Sequence, residues 1–243
     1  MEFYDIHSHI LAKVDDGADS FEMSCQMLDM AYKEGIRHLC VTPHYNRHNA
    51  DDAERPRKVM RAFRALELYA TKHYEDLHLY RGNEVMYYPE MVEYLESGSI
   101  TTLNGSRYVL VEYKPGESYQ RIYSSLQQIL YAGYWPVLAH IERLDCLSEE
   151  WDRLDELKER GIILQMNTSS LVGGYFDKWV RRCRTLVEEG YIDVLGTDAH
   201  NLTSRAPHFQ KAAEWIEKRC GHAVLVQIAV ENPKAILENR TIG

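Results

Sequence analysis

Residues 186–201 read Leu-Val-Glu-Glu-Gly-Tyr-Ile-Asp-Val-Leu-Gly-Thr-Asp-Ala-His-Asn, and this stretch decides the fold. A helix-like segment with Val180, Cys183 and Val187 on one face stops at Gly190. A glycine just past a helix takes the left-handed conformation cheaply, so it marks the stop. The apolar run Tyr191-Ile-Asp-Val-Leu-Gly-Thr197 follows at once and reads as a strand buried on both faces. Asp198-Ala-His200 closes the unit.

The same unit recurs upstream. Gly35 precedes Ile36-Arg-His-Leu-Cys-Val-Thr42, Gly133 precedes Tyr134-Trp-Pro-Val-Leu-Ala-His140, and Gly161 precedes Ile162-Ile-Leu-Gln-Met-Asn167. Phe3 to Ile6, Leu77 to Tyr80 and Tyr108 to Glu112 are further strand candidates, which makes seven. Amphipathic segments lie between them. Asp19-x-x-Glu22 reads as a capping pair ahead of Met23, Met27, Met30 and Ala31. A long helix is predicted from about Asp52 to His73, with Val59, Phe63, Leu66 and Ala70 in register. Ile122, Leu126 and Ile129 mark another, and Trp151, Leu154 and Leu157 a third. Strand starts roughly 30 residues apart fit βαβ units in a parallel sheet closed, or nearly closed, into a barrel. An open doubly wound sheet is the alternative, but no Gly-x-Gly-x-x-Gly turn follows any strand.

In α/β barrels the chemistry sits at the C-terminal strand ends. Here those ends carry Asp5-Ile-His7-Ser-His9, Thr42-Pro-His44-Tyr, Gly82-Asn-Glu84, Val111-Glu112-Tyr, Ala139-His140-Ile-Glu-Arg143 and Gly196-Thr-Asp198-Ala-His200. The loop after the first strand adds Asp15-Asp16-Gly17. A lone histidine is usually packed or solvated, and His38, His48, His73, His78 and His222 are read that way, with His208 left open. Convergence separates the others. Five imidazoles and four carboxylates at one barrel mouth are costly without a cation. Period two puts both ligands of His7-x-His9, and of Asp198-x-His200, on one side of a strand end. Nitrogen and oxygen donors without thiolate suit manganese, iron or zinc, and nine candidates exceed one ion's need, so two or three metals are expected. A closed four-ligand Cys/His zinc site is absent from the sequence.

The chain has 243 residues, 45% apolar and 27% charged, with a net charge of −9. This is a folded globular composition, not a disordered one. The acidity argues against a general nucleic-acid binder. Cys25, Cys40, Cys146, Cys183 and Cys220 form no C-x-x-C and are odd in number, so no disulfide framework is read. The polar start Met1-Glu-Phe-Tyr-Asp resembles no signal peptide, and the run Ala223 to Val230, broken by Gln227, is too short for a bilayer. A reduced, cytoplasmic protein without direct membrane insertion is expected. Triplets such as Asn104-Gly-Ser106 then carry no glycan.

The order His7-x-His9, Asp15-Asp16-Gly17, His44, Glu84, Glu112, His140, Asp198-x-His200 resembles the PHP (polymerase and histidinol phosphatase) superfamily. Within it the chain is most similar to the bacterial capsule-regulating tyrosine phosphatases, the CpsB/YwqE/Wzb-like group. Asp5-Ile-His-Ser-His-Ile10 with Val14-Asp-Asp-Gly17, His140-Ile-Glu-Arg143, Gln165-Met-Asn-Thr-Ser-Ser-Leu-Val-Gly173 and Thr197-Asp-Ala-His-Asn201 carry the narrower resemblance. It spans nearly the whole chain. It implies a distorted TIM-like (β/α)7 barrel of the PHP type, with residues 1–243 as a single metallophosphoesterase domain. It also implies three metals. One would take His7, His9, Glu84 and Asp198; a second would share Glu84 and add Glu112 and His140; a third would take Asp16, His44 and His200. Arg143 and Arg205 match the family's phosphate-gripping arginines, with a metal-bridging water or hydroxide as nucleophile. Leu144 stands where Tyr is usual and Tyr45 where a second His is common, which touches substrate preference more than chemistry.

The expected function is a metal-dependent protein-tyrosine phosphatase, manganese first and iron or zinc next. Its expected partner is the phosphotyrosine-bearing, Tyr-rich tail of a bacterial tyrosine kinase in capsule or exopolysaccharide synthesis. A histidinol-phosphate-like small-molecule phosphatase, or a catalytically silent metal-binding regulator, remains the alternative, with a nuclease behind them. A cysteine phosphatase needs Cys-x5-Arg, but the sixth residues after the cysteines are Ala31, Asn46, Asp152, Glu189 and Val226. No Gly-x-Ser-x-Gly supports a serine triad. Arg57, Arg61 and Arg64, opposite their helix's apolar stripe, read either as a solvated face or as a dock for an acidic, phosphorylated tail. Most of the 17 tyrosines read as packing or rim residues.

Overall fold

Each glycine that ended a helix in the sequence takes a left-handed turn: φ is +88° at Gly35, +86° at Gly133, and +77° at both Gly161 and Gly190. The computed structural model describes residues 1–243 apart from Asp51, Glu149, Tyr175, Gly243 and the side chain of Ala50. Its strands are β1 (Phe3–Asp5), β2 (Ile36–Val41), β3 (His44–Tyr45), β4 (His78–Arg81), β5 (Glu84–Met86), β6 (Tyr108–Glu112), β7 (Trp135–Leu138), β8 (Ile163–Asn167) and β9 (Val194–Gly196). The helices are α1 (Phe21–Lys33), α2 (Arg47–Ala50), α3 (Arg55–His73), α4 (Met91–Glu96), α5 (Tyr119–Tyr131), α6 (Trp151–Glu159), α7 (Lys178–Glu188), α8 (Gln210–Cys220), α9 (His222–Val226) and α10 (Asn232–Leu237).

All strand pairings are parallel, in the orders β1-β2-β4 and β3-β5-β6-β7-β8-β9. β3 continues the line of β2 and β5 that of β4, so the nine pieces make seven staves. The break after β2 falls at Pro43, which has no amide hydrogen for a ladder. The ring closes where the extension of β1 meets that of β9. Ser8 bridges Ala199, His9 N–H donates to the Ala199 carbonyl at 2.8 Å, and Asp198 N–H donates to the His7 carbonyl at 2.8 Å. Thr42 N–H donates to the Ser8 carbonyl at 2.8 Å and joins the two sheets. A seven-stave (β/α) barrel is the architecture expected from the sequence.

Two layers hold it. Inside the ring, Tyr4, Ile6, Cys40, Leu110, Val137 and Val194 pack together, and Ile236 and Leu237 of α10 plug the N-terminal end. Outside, Leu39, Val111, Leu164 and Leu195 meet the helix faces through Met27, Leu66 and Leu126. Each such side chain, fully buried, contributes about 1.5–3 kcal/mol. Local details differ from expectation. The cap of α1 is Ser20, whose Oγ accepts from Met23 N–H at 3.1 Å, so the Asp19/Glu22 box does not form. α3 starts at Arg55, not Asp52, with Pro56 in its first turn, where a missing N–H costs nothing. Trp151 opens α6 at 38% exposure against the Tyr191 ring, leaving Leu154 and Leu157 to face the core.

Candidate active site and metal centre

The strand breaks position the site. Glu84 opens β5 and His44 opens β3, so both sit in strands at the mouth of the ring, not in the loops after them. His7 and His9 follow β1, with Ser8 turned away to donate to the Cys40 carbonyl at 3.0 Å. Asp5 locks this strand end to β9. Its carboxylate accepts from Thr197 Oγ1 at 2.5 Å, Thr197 N–H at 2.9 Å and His7 N–H at 3.1 Å, while burial pushes its carboxyl up to about 6. His140 and Asp198, just past β7 and β9, have φ of +34° and +52°. Such strain in residues with a Cβ concentrates at functional sites. In the first loop Gly17 has no room for a side chain, because a Cβ there would lie 1.8 Å from the His9 carbonyl oxygen.

All nine expected ligand residues converge. His7 Nε2 lies 3.1 Å from Glu84 Oε1 and 3.5 Å from Asp198 Oδ1; His9 Nε2 lies 3.1 Å from Glu84 Oε2 and 3.6 Å from Asp198 Oδ1. His140 Nε2 is 2.9 Å from Glu84 Oε1 and 3.7 Å from Glu112 Oε2. His44 Nδ1 is 3.0 Å from both Glu84 Oε2 and Glu112 Oε1, and its Nε2 is 3.2 Å from Asp16 Oδ1. His200 Nε2 is 3.5 Å from Asp16 Oδ1. Three groups of donors could each hold a metal: His7, His9, Glu84 and Asp198; His44, Glu84 and Glu112; and His9, Asp16, His44 and His200. The first is the set expected from the sequence. In the second, His44 stands where His140 was expected, and in the third His9 joins Asp16, His44 and His200; among the described residues His140 is in none of the three groups, although its Nε2 touches Glu84.

Three imidazoles have their orientation set from behind. Gln165 Oε1 accepts from the His140 backbone N–H at 3.0 Å, which fixes that atom as oxygen. His7 Nδ1, 3.0 Å from the same oxygen, must therefore carry the proton and leave Nε2 facing the site. His9 Nδ1 bonds Asp15 Oδ2 at 2.8 Å, and His200 Nδ1 bonds the Asp198 carbonyl at 2.9 Å. Partners behind the ligands orient and strengthen metal-binding histidines in this way. Asp15 also accepts from His44 N–H at 2.9 Å. Asn167 accepts from Gln165 Nε2 at 2.9 Å and donates to Asp198 Oδ2 at 2.8 Å. Gln165 and Asn167 were not among the expected site residues. Their signal was present: two amides at period two inside an otherwise apolar strand.

The electrostatics call for a cation. Buried His44 Nδ1, Glu84 Oε2 and His200 Nε2 have no hydrogen-bond partner, although opposite groups lie about 3 Å away. Their lone pairs point into shared space. Burial opposes the charge on Glu84, but His7, His140 and His44 outweigh it and hold the carboxyl well below its usual range. Burial also opposes the imidazolium forms of His9 and His44, yet Asp15 and Glu84 raise His9 to about 9, and Glu112 and Glu84 raise His44 to about 11. Without metal, protons supply the positive charge this donor set requires. The residues fit metal ions.

At the rim, Arg143 Nη2 reaches Asp198 Oδ2 at 2.8 Å and Arg205 Nη2 reaches Asp198 Oδ1 at 2.7 Å. Both expected arginines thus meet one carboxylate beside the donor cluster. His38 and His78 lie elsewhere, stacked on Tyr4 and on each other, and burial lowers His38 to about 4. His48, His73 and His222 are exposed, and exposed His208 pairs with Glu34 at 3.1 Å.

Fold and site together define a parallel seven-stave barrel with a multi-ligand His/carboxylate centre and an arginine-lined mouth. Among solved structures, one described as YwqE from Bacillus subtilis and CpsB from Streptococcus pneumoniae, "unique metal-dependent tyrosine phosphatases", matches with TM-score 0.89 and 31% identity over 99% of this chain and 96% of that one. The tyrosine-protein phosphatase CpsB of Streptococcus pneumoniae is 35% identical, covering 98% of this chain and 99% of its own length. The tyrosine-protein phosphatase YwqE of Bacillus subtilis is 33% identical, covering 98% and 92%. A phosphotriesterase homology protein from Escherichia coli shares the fold alone, at 13% identity and TM-score 0.55. Residues 3–238 match the capsular polysaccharide synthesis family CpsB/CapC, and the chain belongs to that family.

Proposed function

We propose that the chain is a metal-dependent protein-tyrosine phosphatase whose ions are held by His7, His9, Asp16, His44, Glu84, Glu112, His140, Asp198 and His200. The observation that carries this reading is the set of buried, unpartnered donor atoms on His44, Glu84 and His200 within one cluster. It rests equally on relatives named as tyrosine-protein phosphatases over their full length. Two or three divalent ions fit the donors, manganese first, then iron or zinc. When bound, they supply Lewis acidity and a water acidic enough to attack phosphorus near neutral pH.

The chain's own residues do the rest. Arg143 and Arg205 present planar forks that can turn from Asp198 to phosphate oxygens and hold the ester at the donor cluster. Gln165, Asp15 and the Asp198 carbonyl hold protons on the far nitrogens of His7, His9 and His200. A phenolate leaving group, with pKa of about 10, departs without a dedicated acid. Residues 1–243 act as one catalytic domain. The substrate we infer is the phosphorylated, Tyr-rich tail of a bacterial tyrosine kinase of the capsule or exopolysaccharide system. A cytoplasmic setting suits the five free cysteines, and none of the described helices is long and apolar enough to cross a membrane.

The test is kcat/KM on a phosphotyrosine peptide, a phosphoserine peptide and histidinol phosphate with manganese, iron and zinc. Phosphotyrosine should dominate. Dominant histidinol phosphate turnover would replace this reading with the small-molecule phosphatase. No turnover with full metal occupancy would leave the silent regulator.

A further inference from the structure

We propose that the flank of α3 is a docking groove for an acidic segment that accompanies the scissile phosphotyrosine in the same substrate protein. The inference rests on the phosphatase reading and extends it from the phosphate to the surrounding chain. Helix α3 follows the second stave, so its first turn lies at the barrel mouth and its axis descends the outer wall. Along it Arg57, Arg61 and Arg64 line, with Pro56 and Met60, an open surface depression of about 540 Å³. Pro56 and Met60 also line an adjoining cavity of about 210 Å³, which adds Arg55, Arg81 and Asn83. The two form one basic trough on a protein of net charge −9.

The inner end of the trough touches the active site's wall. Arg55 donates to the Val14 carbonyl at 3.0 Å and to the His44 carbonyl. Tyr45 and Asn83 line the trough and directly adjoin His44 and Glu84 in sequence. Neighbouring strand residues face opposite sides, so one wall separates the trough from the donor cluster. From Arg55 to Arg64 the helix rises about 14 Å, a span that about four extended residues cover.

The charges are open. Among the described residues Arg57 pairs with exposed Glu54 alone, at 3.2 Å, and Arg61 and Arg64 have no carboxylate within ion-pair distance. Arg81 lies by Met60 and over the Phe63 ring, 5.8 Å from its centre. Another arginine-rich surface, on α7 and α8, differs in this respect. There Arg219 is held by Glu188 at 2.9 Å, and Arg184 caps the Leu171 and Gly173 carbonyls. The α3 depression is shallow, and its arginines follow one helix outward from the barrel mouth, so a substrate already held at the donor cluster can lay a short acidic segment along them. A chain carrying carboxylates or further phosphotyrosines supplies the complementary charge.

The test uses two phosphotyrosine peptides that differ only in a four-residue Glu or Gln extension, made on either side. The proteins are the metal-loaded wild type, the triple variant Arg57→Gln/Arg61→Gln/Arg64→Gln and the corresponding Lys triple. The Glu/Gln ratio of kcat/KM is taken within each protein, so a general loss of activity cancels. For the wild type we expect a ratio of about 5–10 at low salt on one side, arising in KM and shrinking with salt. The Gln triple should bring it to about 1, and the Lys triple should keep most of it. An unchanged ratio in the Gln triple, or no preference in the wild type, overturns the proposal. If neither peptide is hydrolysed, the phosphatase reading fails. Docking is then still read by fluorescence anisotropy of a labelled, unphosphorylated Glu peptide, which must bind the wild type more tightly than the Gln triple. Arginine-dependent binding to phosphatidylglycerol vesicles with no peptide preference assigns the trough to membrane and also overturns the proposal.

Discussion

Gln165→Leu removes the residue that couples two ligands. Its Oε1 accepts from His7 Nδ1–H and His140 N–H, both at 3.0 Å, and its amide donates to Asn167 at 2.9 Å. Leucine fills similar space but leaves two donors and one acceptor buried without partners. Each such orphan costs about 1–3 kcal/mol, so the metal-free fold should lose about 3–6 kcal/mol after relaxation. The larger consequence concerns metal. With no acceptor behind it, His7 can carry its proton on Nε2, where it faces Glu84 and Asp198 and blocks coordination. Loss of a partner behind a ligand typically weakens metal binding about 10–100-fold. Chelator competition with elemental analysis measures that affinity, and urea unfolding in the absence of metal measures the fold. Gln165→Glu keeps the acceptor and should retain affinity far better than leucine. Wild-type affinity in Gln165→Leu, or equal loss in both variants, would show that Gln165 does not set the His7 proton.

Arg143→Ala should keep full metal content while kcat/KM on phosphotyrosine falls about 100–1,000-fold, since the phosphate contact is removed while Arg205 and Asn167 still hold Asp198; loss of metal would mean that Arg143 supports the cluster instead. His140→Ala should lose metal occupancy and at least about 100-fold in activity while its circular dichroism stays native, and full activity would remove His140 from the site. The pH response of the metal-free chain follows from His9 and His44, raised from 6.5 to about 9 and about 11. A raised folded value means that each contribution is complete below about pH 6.5 and declines as pH climbs, through about 9 for His9 and about 11 for His44. Thermal midpoints of chelator-treated protein should therefore fall from pH 6.5 to 9, while metal-loaded protein, whose sites have already displaced those protons, should change little; a metal-free midpoint that rises over this range contradicts the assigned protonation.

The barrel was legible because its punctuation is local. A glycine that must turn left-handed, followed at once by a β-branched run, carries its meaning within ten residues, as at Gly161 and Gly190. What was illegible depends on distant partners. Pro43 marks the break in β2, but the sequence gives no sign that β2 and β4 each resume. The resumed pieces pair with each other across about forty residues of chain, as when His44 of β3 stands opposite Glu84 of β5. The slip from Asp19 to Ser20 as the cap of α1 is of another kind. Both residues can cap, and the choice depends on the path of a loop that must also seat Ala18, fully buried against the core. The plug formed by Ile236 and Leu237 was not foreseen, since nothing in its spacing says which end of a barrel it closes.

The site was legible as a kind of chemistry before it was legible as an arrangement. Imidazoles and carboxylates at successive strand ends announce themselves by type, and the barrel brings eight of the nine into shared donor groups with His140 against Glu84. Amides do not announce themselves: Gln165 and Asn167 look like ordinary polar residues until one oxygen is found serving two histidine residues. The net charge of −9, which argues against a general nucleic-acid binder, also opposes the approach of a phosphate ester. Four of those charges belong to Asp16, Glu84, Glu112 and Asp198, and two of them, Glu84 and Glu112, already hold protons on His9 and His44 in the absence of metal. Three divalent ions in place of those protons would bring the chain to about −3 and make the mouth locally positive, with Arg143 and Arg205 at its edge. The acidity that opposes phosphate over the molecule as a whole is, at this one point, the means of gathering cations that attract it.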